Sequence, residues 1–254
     1  MTTLQGRTVL LTGGLGSLGR AQAKRLSEAG AAVTILERPD LDGAQARARE
    51  LGARLLPCDL NDLAAARTTV AETIDADGGF DVLVNNAALI INRPYDQFTL
   101  DEYEDQIRVN SSAAYALTSV CAEAMKQKGW GRVINFTSVT LKGIIDGYVP
   151  YITSKGAMLG LTISLARELG PHGITVNAVA PGAIVSEAEA RVFGDKAQDY
   201  SDWVLEQQAL KSRIQPEHVA DLVHFLVSPA ADMITAQNIG VDGGWLGGKA
   251  PGTQ

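Results

Sequence analysis

Runs of aliphatic, strand-forming residues alternate with stretches of helical periodicity along the whole chain, and this alternation constrains the fold more than any single motif. Residues 7–12 (RTVLLT) read as a buried strand. In 17–29, Leu18, Ala21, Leu26 and Ala29 recur at helical spacing before Gly30 ends the helix as a C-terminal cap. Further strands are predicted at 32–36, 54–58, 81–84, 132–136, 174–178 and 238–241. Helices are predicted at 41–51, 62–76, most of 100–128, 150–169 with Pro150 opening it, and 216–227. Residues 186–210 are polar with scattered aromatics and fit either short helices or a flap. Strict β-α-β alternation implies an α/β fold, a doubly wound parallel sheet with helices on both faces. No Pro/Gly/Ser-rich linker interrupts it, so residues 1–254 are expected to form a single domain, with a substrate flap at about 186–212. Ligands bind such sheets beyond the carboxyl ends of the strands, so the loops after Thr12, Leu36, Cys58, Val84, Phe136 and Ala178 carry the search for a site.

Bulk properties remove several classes of function. A formal net charge of −7 argues against nucleic acid or a polybasic membrane patch. The first residues lack signal-peptide anatomy and no apolar run is long enough to span a bilayer, so a cytoplasmic protein is expected. Cys58 and Cys121 have no metal or redox spacing and read as reduced structural thiols. His172, His218 and His224 form no ligand pair, and no metal site is expected. Sequon matches at Asn110 and Asn135 fall in segments expected to be interior.

The first loop, TGGLGSLG at Thr12–Gly19, fits two registers. From Gly14 it is G-x-G-x-x-G; from Thr12 it is nearly T-G-x-x-x-G-x-G, with Ser17 at the middle glycine. In either register, glycines allow close approach of a pyrophosphate and the helix offers its N-terminal amides, so Gly13, Gly16, Ser17, Leu18 and Gly19 are candidate cofactor contacts. Glu37 follows the second strand, where a carboxylate accepts hydrogen bonds from the adenosine ribose and repels a 2′-phosphate. That favours NAD over NADP. Arg38 runs against this, since it could cradle such a phosphate, or else lie in solvent or over the adenine. Asp59 and Leu60 are placed for the adenine edge, and Asn86, Ala87 and Ala88 for the chain's passage near the ribose.

Tyr151 and Lys155 share one face of the helix opened by Pro150, Ser138 ends the fifth strand, and Asn110 lies in the helical stretch before it. With T-G at Thr12, N-N-A at Asn85, R-V-N at Asn110, T-S at Ser138, Y-x-x-x-K at Tyr151, V-N-A-V-A-P-G at Val176 and V-D-G-G at Val241, the chain resembles the short-chain dehydrogenase/reductase family over nearly its whole length. The ordered set is far more specific than any of its members. It selects the register from Thr12, with Gly16 expected to restore backbone freedom lost at Ser17. The resemblance implies a Rossmann-type sheet of about seven strands in the order 3-2-1-4-5-6-7. It implies Tyr151 as general acid/base, Lys155 on the nicotinamide ribose, Ser138 on the substrate oxygen and Asn110 anchoring a relay water. It also implies Pro181, Gly182 and Ile184 beneath the nicotinamide, Ser186 in place of the usual threonine, and a homotetramer built through the long helices. A tyrosine of pKa ~10 is a poor base, so neighbouring positive charge is expected to lower it.

The expected reaction is hydride transfer between a secondary alcohol or ketone and NAD. Pocket candidates are Leu89, Ile90, Ile91, Val139, Thr140, Ile144, Ile145, Tyr148, Phe193 and Trp203, with Trp245 reaching this pocket or a neighbouring subunit's. Their apolar character suits an aryl or alicyclic substrate. Glu187, Glu189 and Arg191 on the flap leave a sugar or polyol dehydrogenase open. Tyr148, seven residues before Lys155, leaves an enoyl reductase open, although Pro150 places it ahead of the helix. A non-catalytic NAD-binding scaffold is the remaining alternative.

Overall fold

The computed structural model describes residues 3–142 and 145–245, apart from the side chains of Ala188, Arg191 and Val192. Seven strands form one parallel sheet in the order β3-β2-β1-β4-β5-β6-β7, the order expected. They are β1 Thr8–Thr12, β2 Ala32–Glu37, β3 Arg54–Pro57, β4 Val82–Asn85, β5 Gly131–Phe136, β6 Ile174–Pro181 and β7 Asn238–Val241. The helices, in chain order, are α1 Ser17–Glu28, α2 Ala44–Glu50, α3 Leu63–Asp77, α4 Leu100–Ile107, α5 Ala113–Lys128, α6 Val149–Leu169, α7 Glu187–Phe193, α8 Ala197–Gln207 and α9 Pro216–Leu226.

Strand periodicity feeds both faces. In β1, Val9 and Leu11 pack with Leu26 of α1, Ala48 of α2 and Val223 of α9, while Leu10 between them packs with Val70 of α3, Leu117 of α5 and Leu169 of α6. Helix ends follow local chemistry. Asp62 accepts the Ala65 N–H at 2.9 Å, and Thr99 and Glu102 form a reciprocal capping box. One expectation changes and one open alternative resolves. The helical stretch over 100–128 is interrupted by a π turn at Arg108–Ser112, where Ala113 N–H reaches back to Arg108 carbonyl. Hydrophobic periodicity cannot register one inserted residue of that kind. The segment 186–210 forms the helices α7 and α8. Among the described residues no helix is long and apolar enough to cross a membrane.

Candidate active site

The loops at the carboxyl ends of β1, β2, β4, β5 and β6 converge on one edge of the sheet. In the first, Gly13 has φ 64°, and a Cβ there would lie 2.9 Å from Ala87 Cα; one on Gly19 would lie 2.2 Å from Gly13 carbonyl oxygen. Both glycines are therefore required, as the register from Thr12 demands. Gly16 corrects an expectation: at φ −74°, ψ 168° it is extended backbone open to any residue, so it restores no freedom for Ser17. What this turn does offer is an uncapped helix end. No side chain caps α1 and its first turn holds no acidic residue, which suits a pyrophosphate on its amides. Glu37 is folded onto the same turn, its Oε2 accepting Leu15 N–H at 3.2 Å. Arg38 points into solvent with Asp40 3.6 Å away. Arg47, absent from the sequence expectations, donates to Leu15 carbonyl at 2.6 Å; a mid-helix arginine gives no sign of this reach.

The other cofactor candidates brace this edge. Asn86 Nδ2 donates to Thr12 and Gly13 carbonyls, both at 3.0 Å, and Ala87 N–H donates to Thr12 Oγ1. Ala88 is exposed and Leu60 buried, while Asp59 Oδ1 accepts Asn61 N–H in its own turn. Pro181 ends β6. A Cβ on Gly182 would lie 2.9 Å from Asp242 Cα, and Ile184 forms a bridge with Ile214. Ser186 caps α7, accepting Glu189 N–H at 3.1 Å. The Ser17 hydroxyl accepts Glu187 N–H at 3.3 Å, and Arg20 pairs with the Glu187 carboxylate at 2.5 Å. Glu187 thus faces the glycine turn.

The candidate catalytic groups gather at the carboxyl end of β5. Tyr151 and Lys155 occupy successive turns of α6, with Lys155 Nζ 5.4 Å from the Tyr151 ring centroid. Burial pushes the Tyr151 phenol up to about 12, and a hydrogen bond with Ser138 acts in the opposite direction. Lys155 is pushed down to about 8 by burial, and its ammonium donates to Phe136 carbonyl at 2.8 Å. Asn110, in the π turn, commits both amide hydrogens, to Leu89 carbonyl at 2.9 Å and Ser154 Oγ at 3.0 Å, and its Oδ1 accepts Leu89 N–H at 2.6 Å. Its side chain is a brace between the β4 loop and α6.

Ser154 was not expected; its hydroxyl donates to Tyr151 carbonyl at 2.6 Å and accepts from Asn110. A buried amide ladder, also unexpected, runs Asn85–Asn135–Thr162 in steps of 2.9 Å and joins β4, β5 and α6. Of the pocket candidates, Tyr148 caps the start of α6 with its ring 6.0 Å from that of Tyr151, and Thr140 N–H donates to Ser138 Oγ at 3.2 Å. Phe193 stacks on Tyr200 at 3.7 Å, Tyr200 on Trp203 at 5.8 Å, and Trp203 meets the buried Trp245 edge-on. Ile90 is exposed and Leu89, Ile91 and Ile145 are half-buried. Ile144 and the side chain of Arg191 lie outside the described residues.

A family model described as enoyl-(acyl carrier protein) reductase matches residues 13–246. The short-chain reductase protein NovJ of Streptomyces niveus is 35% identical, the match covering 94% of each chain. The chain belongs to the short-chain dehydrogenase/reductase family. Among short-chain dehydrogenases, D-xylose 1-dehydrogenase of Caulobacter vibrioides is 34% identical, over 96% of this chain and 97% of its own. A crystal structure from Beutenbergia cavernae, described as a candidate NAD(P)-dependent gluconate 5-dehydrogenase with NADP at low occupancy, is 34% identical. It superposes with a TM-score of 0.87 over 96% of this chain and 98% of its own. Against the short-chain dehydrogenase motif, the departures here are Ser17 for the middle glycine and Ser186 for threonine.

Proposed function

We propose that this short-chain dehydrogenase transfers hydride between a nicotinamide cofactor and the carbinol or carbonyl carbon of a secondary alcohol or ketone. The observation that carries the reading is the Ser138 hydroxyl bonded to the Tyr151 phenol with buried Lys155 alongside. The glycine turn and α1 amides would hold the pyrophosphate, Glu37 the adenosine ribose, Asp59 and Leu60 the adenine edge, and the 181–186 segment with Lys155 the nicotinamide end. Glu37 supports NAD over NADP. The cofactor, when bound, accepts or supplies the hydride. Tyr151 gives its proton to the substrate oxygen in reduction and takes it back in oxidation, and Ser138 holds that oxygen by a hydrogen bond as charge develops on it. Asn110 and Ser154 fix the turn of α6 from which Tyr151 projects. Residues 1–254 act as one unit, with 186–212 as flap.

Two substrate readings follow from the pocket. Leu89, Ile91 and Ile145 support an aryl or alicyclic alcohol. A sugar or polyol is supported by one relative, a D-xylose 1-dehydrogenase. Enoyl reduction is not favoured: Tyr148 stands outside α6, and Ser138 bonds Tyr151. Absorbance assays of secondary alcohols, ketones and sugars with NAD and NADP test the reading. Turnover is expected in at least one substrate class, faster with NAD; no reduced-nicotinamide signal from any of them overturns it. Exposed Tyr115 on α5 and Ile163 on α6 support assembly through these helices into a tetramer.

A further inference from the structure

Leu15 stands between Gly14 and Gly16 in the glycine turn, and both of its backbone groups are bonded to side chains from other elements. Its N–H donates to Glu37 Oε2 at 3.2 Å. Its carbonyl accepts from two guanidinium groups, Arg47 Nη2 of α2 at 2.6 Å and Arg20 Nη1 of α1 at 3.1 Å. Glycines on both sides leave the peptide groups around Leu15 little restrained by neighbouring Cβ atoms, so their orientation depends on what they bond. Arg20 is shared with the Glu187 carboxylate, whereas the Arg47 guanidinium bonds the Leu15 carbonyl alone among the described residues.

The fold does not need this reach. Helix α2 is anchored through buried Ala44 and Ala48, and Leu15 through its own side chain, buried in the same apolar cluster. Ordering an arginine side chain costs entropy comparable to the worth of one hydrogen bond from a charged group, so the contact adds little net stability. Glu37 is the group that depends on it. Its carboxylate is half-buried at the carboxyl end of β2 and has no cation at ion-pair distance among the described residues. Two main-chain N–H groups hold it, those of Leu15 and Arg38, each at 3.2 Å. Bonds at the long end of the N–H···O range hold loosely, so the place of the carboxylate follows the aim of the Leu15 N–H. With its side chain buried and its carbonyl clamped, Leu15 keeps that N–H directed at Glu37.

We propose that Arg47 is a positioning residue for the dinucleotide: by clamping the Leu15 carbonyl it holds the Glu37 carboxylate where adenosine ribose hydroxyls meet it and a 2′-phosphate is repelled. The inference rests on the reading of Glu37 as the ribose contact. The test titrates NADH and NADPH, followed by nicotinamide fluorescence, into the wild type, Arg47→Met, Glu37→Gln and the double variant. Arg47→Met keeps an apolar stem and removes the donor. It is expected to weaken NADH binding about fivefold and to leave NADPH binding unchanged or tighter. In the Glu37→Gln background the same substitution should change NADH binding by less than about twofold. Arg47→Lys, which restores a donor, should recover most of the loss. Equal loss for both nucleotides means that the guanidinium acts only as a nearby charge, and loss confined to NADPH means that it touches the phosphate; either overturns the proposal. So does an undiminished loss without the Glu37 carboxylate, or no change with either nucleotide. Glu37→Gln that binds NADH as the wild type does overturns the ribose reading too, and a wild type that binds neither nucleotide overturns the cofactor reading as a whole. If Arg47→Met fails to fold, a crystal structure of the wild-type NADH complex decides: Arg47 on the Leu15 carbonyl with Glu37 on the ribose supports the proposal, and Arg47 released from that carbonyl overturns it.

Discussion

Lys155 is costly to the fold in its charged form. Its pKa falls from 10.5 to about 8 through burial, so below pH 8 both folded and unfolded chains hold the proton and the folded state bears the whole penalty. Between pH 8 and 10.5 the unfolded chain binds more protons, and stability rises with pH. Lys155→Met should therefore stabilise the protein at pH 7 by on the order of 2 kcal/mol, less what the orphaned Phe136 carbonyl takes back, and the gain should vanish by about pH 10. Denaturant melts at the two pH values check this, and the same variant should be inactive. Tyr151→Phe should abolish turnover, whereas Tyr148→Phe should change chiefly KM; steady-state kinetics showing the opposite pattern would restore the enoyl-reductase reading. Ser17→Gly should alter NAD affinity by no more than about tenfold, ~1.4 kcal/mol, by calorimetry. At this scale the sequence was most legible where chemistry demands one residue type at one spacing, as for Ser138, Tyr151 and Lys155. It was silent on Ser154 and Arg47, whose roles depend on what lies across the fold from them.

Elements were legible where periodicity is strong. All seven strands were expected within a few residues of their ends, because buried parallel strands read as aliphatic runs bounded by turn residues. The π turn was not legible in the sequence, and Asn110 within it bonds Leu89 and Ser154. If that turn works as a brace, Asn110→Ala and Ser154→Ala should be strongly non-additive. A double-mutant cycle in stability should give a coupling of at least about 0.5 kcal/mol, and full additivity would mean that the two side chains act independently. The flap helices were ambiguous because their aromatics pack on one another, Phe193 on Tyr200 and Tyr200 on Trp203, and so leave no clear apolar stripe toward the sheet.

For the whole molecule, the neutral phenol sets the direction of pH dependence. Held at about 12 by burial, Tyr151 keeps its proton near neutrality, the form that reduction needs and oxidation does not. Oxidation should accelerate as pH rises from 7 toward 10 while reduction stays level or declines, measured as initial rates in both directions. The overall architecture was readable because alternating strands and helices admit few arrangements, whereas substrate class was not, since the candidate pocket residues come from segments far apart in the chain. One contact reaches beyond either binding site. Glu187, at the first turn of the flap, rests on Ser17 and Arg20 at the helix end suited to the pyrophosphate. Displacing α7 therefore breaks contacts at the N-terminus of α1 as well, so the two segments are mechanically joined.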